Sequence, residues 1–356
     1  MTETGNITKN YRASTVRKTI VLIVSIIGVV LIAGLLSVKV CQNISLADVY
    51  RLIWEHITGV QHEIGTADWW NDRHVWNHSV PRVLGAILAG IGLAAAGVMM
   101  QSLMNNPLAD PYSTGISSGA AFGATSAIVM AASLSAVYSE STTVIFAFIG
   151  AMVPALIIIL ISSKIQVTPA TLILLGTAIS YFFNSMITYM MVTTDADSLQ
   201  HAYSWQIGGL DSIGWESIPI MATITIVGCI LVLLLSRKLN LLMLGDASAK
   251  TLGLNVETFR IICLTLMAIM TAGIVSFTGI LGFIGLVTPH IVRFLVGADN
   301  RFVTPIAMAM AAFLTLVCDY FAVSVFDTQL GAVLALFGSP IFLLLIIRQK
   351  RGREIY

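Results

Sequence analysis

The stretch MNNPLADPYSTGISSGA, Met104–Ala120, lies between two long apolar runs and limits how the chain can fold. Pro107 and Pro111 stop one helix and direct the start of the next, because proline lacks an N–H donor and its φ is fixed. The side chains of Asn106 and Asp110 can satisfy backbone groups that this break frees. A broken helix at membrane depth is tolerated only where protein or a cavity surrounds it.

A second interruption of this kind is GLVTPHIVRFLVGADNR, Gly285–Arg301. It places Pro289 inside an apolar run, with His290 next to it and Arg293 one turn further on. Two such breaks in one chain favour a transporter over a receptor or a membrane anchor, since each break needs packed protein or a cavity around it.

The overall composition is that of an integral membrane protein. Of 356 residues, 57% are hydrophobic and only 10% are charged, whereas soluble domains carry about 25% charged residues. The net charge of +1 argues against a nucleic-acid partner. The four cysteines form no CxxC or Cys/His cluster, so we expect neither a metal site nor a disulfide.

Apolar runs long enough to cross a bilayer predict an all-α, polytopic membrane protein with about ten transmembrane helices. The first run follows Arg17 and Lys18 without a small-residue cleavage site after it, so we expect an uncleaved span rather than a signal peptide. The ten predicted spans are 20–38, 83–104, 113–133, 142–163, 170–192, 218–236, 259–278, 280–297, 303–324 and 330–347.

The basic residues orient these spans. With a cytoplasmic N-terminus, the outer loops keep only four of the 19 lysines and arginines, and the other 15 lie inside. This positive-inside pattern predicts that both termini are cytoplasmic. The chain is expected to form a single transmembrane domain over 1–356, with a cytoplasmic tail at 1–18, an external loop at 39–80 and a cytoplasmic segment at 237–258.

Small residues recur at helical spacing within the spans. Gly115, Gly119 and Gly123 fall every four residues on one face of the third span. Such faces let two helix backbones approach closely, so a tightly packed bundle is expected.

Asp319 lies deep in the ninth span, where a charge costs roughly 2.5–3.5 kcal/mol on insertion scales. It could belong to a proton relay, as in an ion-coupled secondary transporter. It could instead be hydrogen-bonded to neighbouring helices. No second titratable group accompanies it in the neighbouring spans, which favours the structural role.

The polar segment LGDASAKTLGLN, Leu244–Asn255, resembles a phosphate-binding P-loop but lacks the glycine before Lys250. It also follows an apolar span rather than a strand. The segment is better interpreted as a short helix that Asp246 caps and Gly253 ends, with Asn255 capping the next helix. No GxSxG or HExxH motif is present, so a membrane enzyme is disfavoured.

Several stretches in a fixed order resemble the FecCD-type permease subunits of ABC importers for iron complexes and cobalamin. NPLADP followed by GxxxGA, and later GFxGLxxPHxxR, are the most specific of them. The matching stretches are Pro81–Gly123, Tyr203–Trp215, Leu244–Val256, Gly279–Arg301 and Gly331–Phe342.

The resemblance implies a multi-pass protein of the cell membrane and a set of partners. A second permease copy, as a homodimer, would form the path, two cytoplasmic ATPase subunits would drive it, and an extracytoplasmic binding protein would deliver the cargo. ATP and Mg would be held by the ATPase, with no cofactor and no catalytic residue in this chain. The implied cargo is an iron complex, either a siderophore or haem, with cobalamin as the alternative.

The resemblance also assigns residues to roles. Arg82 would dock the binding protein, although the family's preceding arginine is absent in Ser79-Val80-Pro81-Arg82. On the fifth span, Gly176, Ser180 and Asn184 would line the translocation path. The residues that would contact the ATPase are Gly245, Asp246, Ala247, Ser248, Ala249, Lys250, Thr251, Leu252 and Gly253.

Overall fold

The computed structural model describes residues 2–41, 44–133, 139–164 and 168–352, with side chains described between 15 and 347. Within these ranges the chain is almost entirely helical and contains no strand. The α-helices are α1 (Thr2–Cys41), α2 (Leu46–Thr58), α3 (Ala67–His74), α4 (Val80–Leu103), α5 (Ile116–Ser133), α6 (Glu140–Lys164), α7 (Pro169–Thr193), α8 (Ala196–Ile207), α9 (Ile218–Leu242), α10 (Asp246–Thr251), α11 (Val256–Thr278), α12 (Ile284–Val296), α13 (Asn300–Phe321) and α14 (Leu330–Gly352).

The predicted all-α membrane fold is confirmed, with one difference in span length. Over the described residues, nine helices are long and apolar enough to cross a membrane. The predicted eighth span, 280–297, forms only the 13-residue α12. At 1.5 Å per residue this helix covers about 20 Å, short of the roughly 30 Å of hydrocarbon. The non-helical segment 279–283 precedes it, because Gly279 adopts a φ of +65° that ends α11.

The predicted external loop, 39–80, contains α2, α3 and a π-helical turn that leads into α4. Ser45 and Asp48 form a capping box at the start of α2. The indole N–H of Trp215 donates to the carbonyl of Trp76 at 2.7 Å, and the two rings stack with centroids 4.9 Å apart. These contacts hold the loop against the start of α9.

Glycines bring the helix backbones into direct contact, as the small-residue faces predicted. A Cβ on Gly119 would lie 2.4 Å from the carbonyl oxygen of Gly150, so α5 and α6 touch through their main chains. Likewise, a Cβ on Gly97 would lie 1.8 Å from the carbonyl oxygen of Gly285, where α4 meets α12. Side chains larger than hydrogen are therefore excluded at both crossings.

The two proline-bearing stretches pack against each other inside the bundle. Asn106 accepts from the N–H of Leu108 at 3.0 Å, and Asp110 accepts from the N–H of Tyr112 at 3.1 Å, so each closes its own turn. The hydroxyl of Tyr112 donates to the carbonyl of Leu281 at 3.1 Å. The irregular backbone between α4 and α5 thus lies against the irregular backbone that precedes α12.

Further contacts join these two stretches. The ring nitrogen Nδ1 of His290 lies 3.2 Å from the carbonyl oxygen of Pro107. Pro111 and Thr114 bound a buried 3-10 turn, and Gly115 ends it with a φ of +83°, in the left-handed region that glycine tolerates. The contact between His290 and Pro107 lies at the packing interface between the two stretches.

The Gly97–Gly285 crossing generates a stability prediction. We expect Gly97→Ala to lower the melting temperature of the detergent-purified protein by several degrees, because the added methyl meets backbone and overpacking costs roughly 1–3 kcal/mol. The matched control is Gly282→Ala, since a Cβ at Gly282 meets nothing within 4 Å. Equal melting temperatures for the two variants would contradict the backbone contact.

Candidate functional site

The short helix α10 connects α9 to α11 on the side that the charge pattern assigns to the cytoplasm. Gly245 and Gly253 flank it with φ values of +89° and +86°, conformations that favour glycine. The predicted cap at Asp246 is wrong, because Gly245 occupies the cap position and Asp246 is the first helical residue. The predicted cap at Asn255 is confirmed, since its side chain accepts from the N–H of Thr258 at 3.1 Å.

Two ion pairs and one buried side chain fix α10 against α11. Both carboxylate oxygens of Asp246 lie 3.0 Å from Nη2 of Arg260, which is itself buried. Nζ of Lys250 lies 2.5 Å from Oε1 of Glu257. Ala249 is fully buried beneath the helix. These contacts join α10 to α11 and leave its outer face exposed.

The exposed side of this segment combines small and apolar residues. Ala247, Ser248 and Thr251 are exposed. Leu244 and Leu252, at either end, expose 60% and 58% of their surface. Of the predicted contact residues, therefore, all except the buried Ala249 are accessible to a partner to some degree.

Arg82, at the start of α4, forms an ion-pair cluster at the predicted outer end of the bundle. Its Nε and Nη2 donate to the two carboxylate oxygens of Asp319, each at 2.8 Å, and its Nη1 donates to Asp211. Asp319 is completely buried, whereas 61% of the Asp211 side chain is exposed. The structural role favoured for Asp319 is confirmed. Its partner is the guanidinium of Arg82 on α4, which is far from Asp319 in the sequence but next to it in the fold.

This cluster changes what Arg82 offers to a partner. Only 12% of its side chain is exposed, and both faces of its guanidinium fork already meet carboxylates. Arg82, predicted to dock the binding protein, is thus already paired within the chain. Sequence reasoning missed the pair because Arg82 and Asp319 are 237 residues apart.

A small cavity of about 150 Å³ lies beside the cluster. It opens among α8, the end of α11 and the start of α14, and its lining is partly polar. The amide of Gln329 donates to Ser204 at 3.3 Å across this space. The polar lining residues include His201, Ser204, Asp211, Ser212 and Gln329.

The three path residues predicted on α7, spaced four residues apart, differ in burial. Gly176 is buried, and a Cβ there would lie 1.9 Å from the carbonyl oxygen of Ser113, so it is a packing residue. Ser180 is half-buried, and Asn184 is exposed. The structure thus separates Gly176 from the other two.

The exposed face of α7 carries the predicted Asn184 together with three polar side chains that the prediction did not include, those of Thr177, Tyr181 and Thr188. Thr177, Tyr181, Asn184 and Thr188 are all exposed, at spacings of four, three and four residues. The hydroxyls of Thr177 and Thr188 donate to carbonyls one turn earlier, both at 2.8 Å. This spacing was readable from the sequence as one helical face within an apolar run.

Among the residues that the structure describes, no group of three or more His, Cys, Asp and Glu side chains is arranged to hold a metal ion. The polar groups at the cluster, at the α7 face and at α10 instead provide ion pairs, hydrogen bonds and an exposed contact surface. These arrangements suit binding and conformational coupling.

The family model of the FecCD transport family matches residues 20–348. The chain belongs to this family. It is similar to the hemin transport system permease of Yersinia pestis, at 38% identity over 79% of this chain and 85% of that protein. It is also similar to the iron(3+)-hydroxamate import permease of Bacillus subtilis, at 34% identity over 91% and 84%. A cobalamin import permease of Halobacterium salinarum is 33% identical over 78% and 73%.

A solved structure described as an inward-facing metal-chelate type ABC transporter matches the fold with a TM-score of 0.77. It is 26% identical and the match covers 92% of this chain and 98% of that one. The chain is accordingly a multi-pass membrane permease subunit of an ABC importer, as predicted.

The Arg82–Asp319 pair gives a second prediction. Asp319→Asn and Arg82→Gln should each lower the free energy of unfolding strongly, because removing one partner of a buried pair costs about 3–5 kcal/mol. The double variant should lose less than the sum of the two. Thermal melts of all three, with the exposed-partner variant Asp211→Asn as control, measure this coupling.

Strictly additive losses in that double-mutant cycle would contradict the pair. A neutral Asp319→Asn would do the same, since it would leave no penalty for an unpaired Arg82.

Proposed function

We propose that two copies of this chain form the translocation path of an ATP-driven, binding-protein-dependent importer of an iron complex. Two cytoplasmic ATPase subunits supply the energy with ATP and Mg bound to them, and an extracytoplasmic binding protein delivers the cargo. The observation that carries the proposal is α10, an exposed short helix between two membrane spans that is joined to α11 by two ion pairs.

The surface of α10 suits insertion into a cleft of a protein partner. The small exposed side chains of Ala247 and Ser248 permit close approach, and the exposed Leu244 and Leu252 supply apolar area at either end. Exposed apolar groups of this kind indicate a protein contact when they cluster. Because ion pairs join α10 to α11, we expect a displacement of α10 by the ATPase to move α11 as well.

The polar face of α7 supports a path between the two copies. Lipid-facing helices gain nothing from exposed Tyr181, Asn184 and Thr188, whereas a water-filled cavity can solvate them. We assign Asn184 and the half-buried Ser180 to the path wall. In this arrangement Gly176 does not line the path but packs α7 against the backbone of Ser113.

Docking of the binding protein through Arg82 requires an exchange of partners. An incoming carboxylate would displace the exposed Asp211 from Nη1, while Asp319 keeps Nε and Nη2. Because Arg82→Glu also breaks the buried pair with Asp319, its outcome is read only in protein that still folds, and binding-protein association that persists there would contradict this role.

An iron complex is the cargo that we favour. The relatives named for hemin and for iron(3+)-hydroxamate support it, and the cobalamin relative supports the alternative by the same mechanism. An ion-coupled secondary transporter has less support, because Asp319 is already neutralised by Arg82. Such a transporter needs titratable groups that can release protons.

Uptake into proteoliposomes tests the function. The chain is reconstituted with its ATPase and binding protein, and labelled haemin, a ferric hydroxamate and cobalamin serve as separate probes. We expect ATP-dependent accumulation of haemin or the hydroxamate, and none with an ATPase unable to hydrolyse ATP.

Preferential uptake of cobalamin would select the alternative cargo. Accumulation driven by a proton gradient without the ATPase would overturn the proposal and return Asp319 to a coupling role.

The role of α10 gives a separate prediction. Ala247→Glu should abolish co-purification of the ATPase while the melting temperature stays near wild type, because residue 247 is exposed. Ala249→Glu should instead destabilise the protein, since it buries a charge. The matched control is Ala170→Glu, at an exposed position at the start of α7. Full ATPase association by Ala247→Glu would contradict the contact.

A further inference from the structure

Arg293 lies where the ends of several helices converge on the cytoplasmic side of the bundle. Its Nε donates to the side-chain oxygen of Gln101 at 3.2 Å, and its Nη2 donates to the hydroxyl of Ser102 at 3.3 Å. Both acceptors are at the end of α4. Nη2 also donates to Asn300 Oδ1 at 2.9 Å, at the start of α13. One guanidinium on α12 therefore joins α4 and α13.

The same guanidinium reaches the connection that leads to α10. Nη1 of Arg293 lies 3.4 Å from the sulfur of Met243, and it also donates to the carbonyl of Ala298 at 3.1 Å. The amide of Asn300 contacts the same sulfur at 3.5 Å. Met243 directly follows α9 and precedes Gly245, the cap of α10, by two residues. A displacement of α10 therefore moves a direct contact of Arg293.

The hydrogen-bond partners of Arg293 are neutral. Its hydrogen bonds go to amides, a hydroxyl, a carbonyl and a thioether, and the described residues contain no carboxylate within ion-pair distance of it. A partly buried cation without an anion is costly. Only arginine offers five donors in a planar fork that can satisfy acceptors in several directions at once. Arg293 therefore contributes mainly through the geometry of its donors, which reach acceptors in several directions, and less through its charge.

Asn240 ties the end of α9 into the same junction. Its Oδ1 accepts from the N–H of Asn300 at 2.8 Å, and its Nδ2 donates to Asp299 at 2.7 Å. Asp299 caps α13, and its hydrogen bond from Arg301 lowers the pKa of its carboxyl to about 2. The carboxylate is therefore charged, and its contribution to stability is lost only as pH falls towards 2.

These contacts hold the α10 segment at two places. Asp246 is bound to Arg260 on α11, and Met243 contacts Arg293 on α12. The first attachment leads to a helix that is next to α10 in the chain. The second leads to α4, α12 and α13. An irregular segment follows α4, and another precedes α12.

We propose that Arg293 is a positioning residue that transmits displacement of α10 to α4, α12 and α13. This inference rests on the proposed function, because it assumes that an ATPase moves α10. It assigns the transmission to a junction of named side chains rather than to the α10–α11 contact alone.

The test uses the complete assembly of the chain, its ATPase and its binding protein in lipid nanodiscs. ATP hydrolysis is measured with and without the binding protein, since stimulation by a protein on the outer face requires transmission through the bundle. We expect Arg293→Gln to keep ATPase association and basal hydrolysis within about twofold of wild type, and to lose the stimulation.

Two further variants separate transmission from packing. Arg293→Lys should fail to restore stimulation, because an ammonium group cannot reach acceptors on three elements at once. Met243→Leu, which keeps the volume and removes the sulfur contact, should at least halve the stimulation. Arg237→Gln, an exposed arginine near the end of α9, is the matched control and should behave as wild type.

Each outcome decides the inference. Normal stimulation in Arg293→Gln, or full rescue by Arg293→Lys, overturns it. If Arg293→Gln does not assemble, Met243→Leu decides, and unchanged stimulation in that variant overturns the inference. A wild-type assembly that the binding protein does not stimulate contradicts the proposed function itself, and the inference falls with it.

Discussion

The burial of irregular backbone inside a membrane bundle is the constraint on which this structure depends. The irregular backbone between α4 and α5, and that of residues 279–283 before α12, contains polar groups that lipid cannot satisfy. The two regions become stable by packing on each other, through Tyr112 to Leu281 and His290 to Pro107. That packing requires main chains in contact, and the Gly97–Gly285 crossing provides it. The shortness of α12 follows from the same constraint, since part of its passage is not helical.

Arg82 and Arg293, both partly buried, are satisfied in opposite ways. Arg82 is neutralised by two carboxylates, which fixes α4 to α13 at one end. Arg293 is satisfied by neutral acceptors at the other end, where its donors join α4, α12 and α13. A buried ion pair resists separation, whereas hydrogen bonds from a guanidinium to neutral acceptors exchange partners at lower cost. The first arrangement suits a fixed joint, and the second suits a joint that moves.

Features that depend on local sequence could be predicted, and those that depend on distant contacts could not. Hydropathy and charge predict every long span, and Pro107 and Pro111 mark the break between α4 and α5. The break expected at Pro289 is wrong, because Pro289 lies inside α12 and the chain is non-helical earlier, at 279–283, where Gly279 ends α11. The missing glycine excluded a P-loop at α10, and the polar cap pattern indicated a short helix there. Asn255 was recognisable as a helix cap from its residue type. The cap of α10 was assigned to Asp246 because aspartate is a common capping residue, whereas the true cap, Gly245, depends on a positive φ that the sequence does not show. The pairing of Asp319 with Arg82 could not be predicted from the neighbouring sequence, because only the tertiary fold brings the two residues together. The burial of Gly176 likewise depends on Ser113, which lies on another segment.

The central claim is that motion of α10, driven by a partner's ATP, alters a path formed between the α7 faces of two copies. Pulsed electron paramagnetic resonance between spin labels at residue 184 of the two copies tests it most directly. The account predicts a defined distance between the copies that changes when the assembled ATPase binds ATP. A distance that is the same with and without ATP, or the absence of any signal between copies, would contradict it.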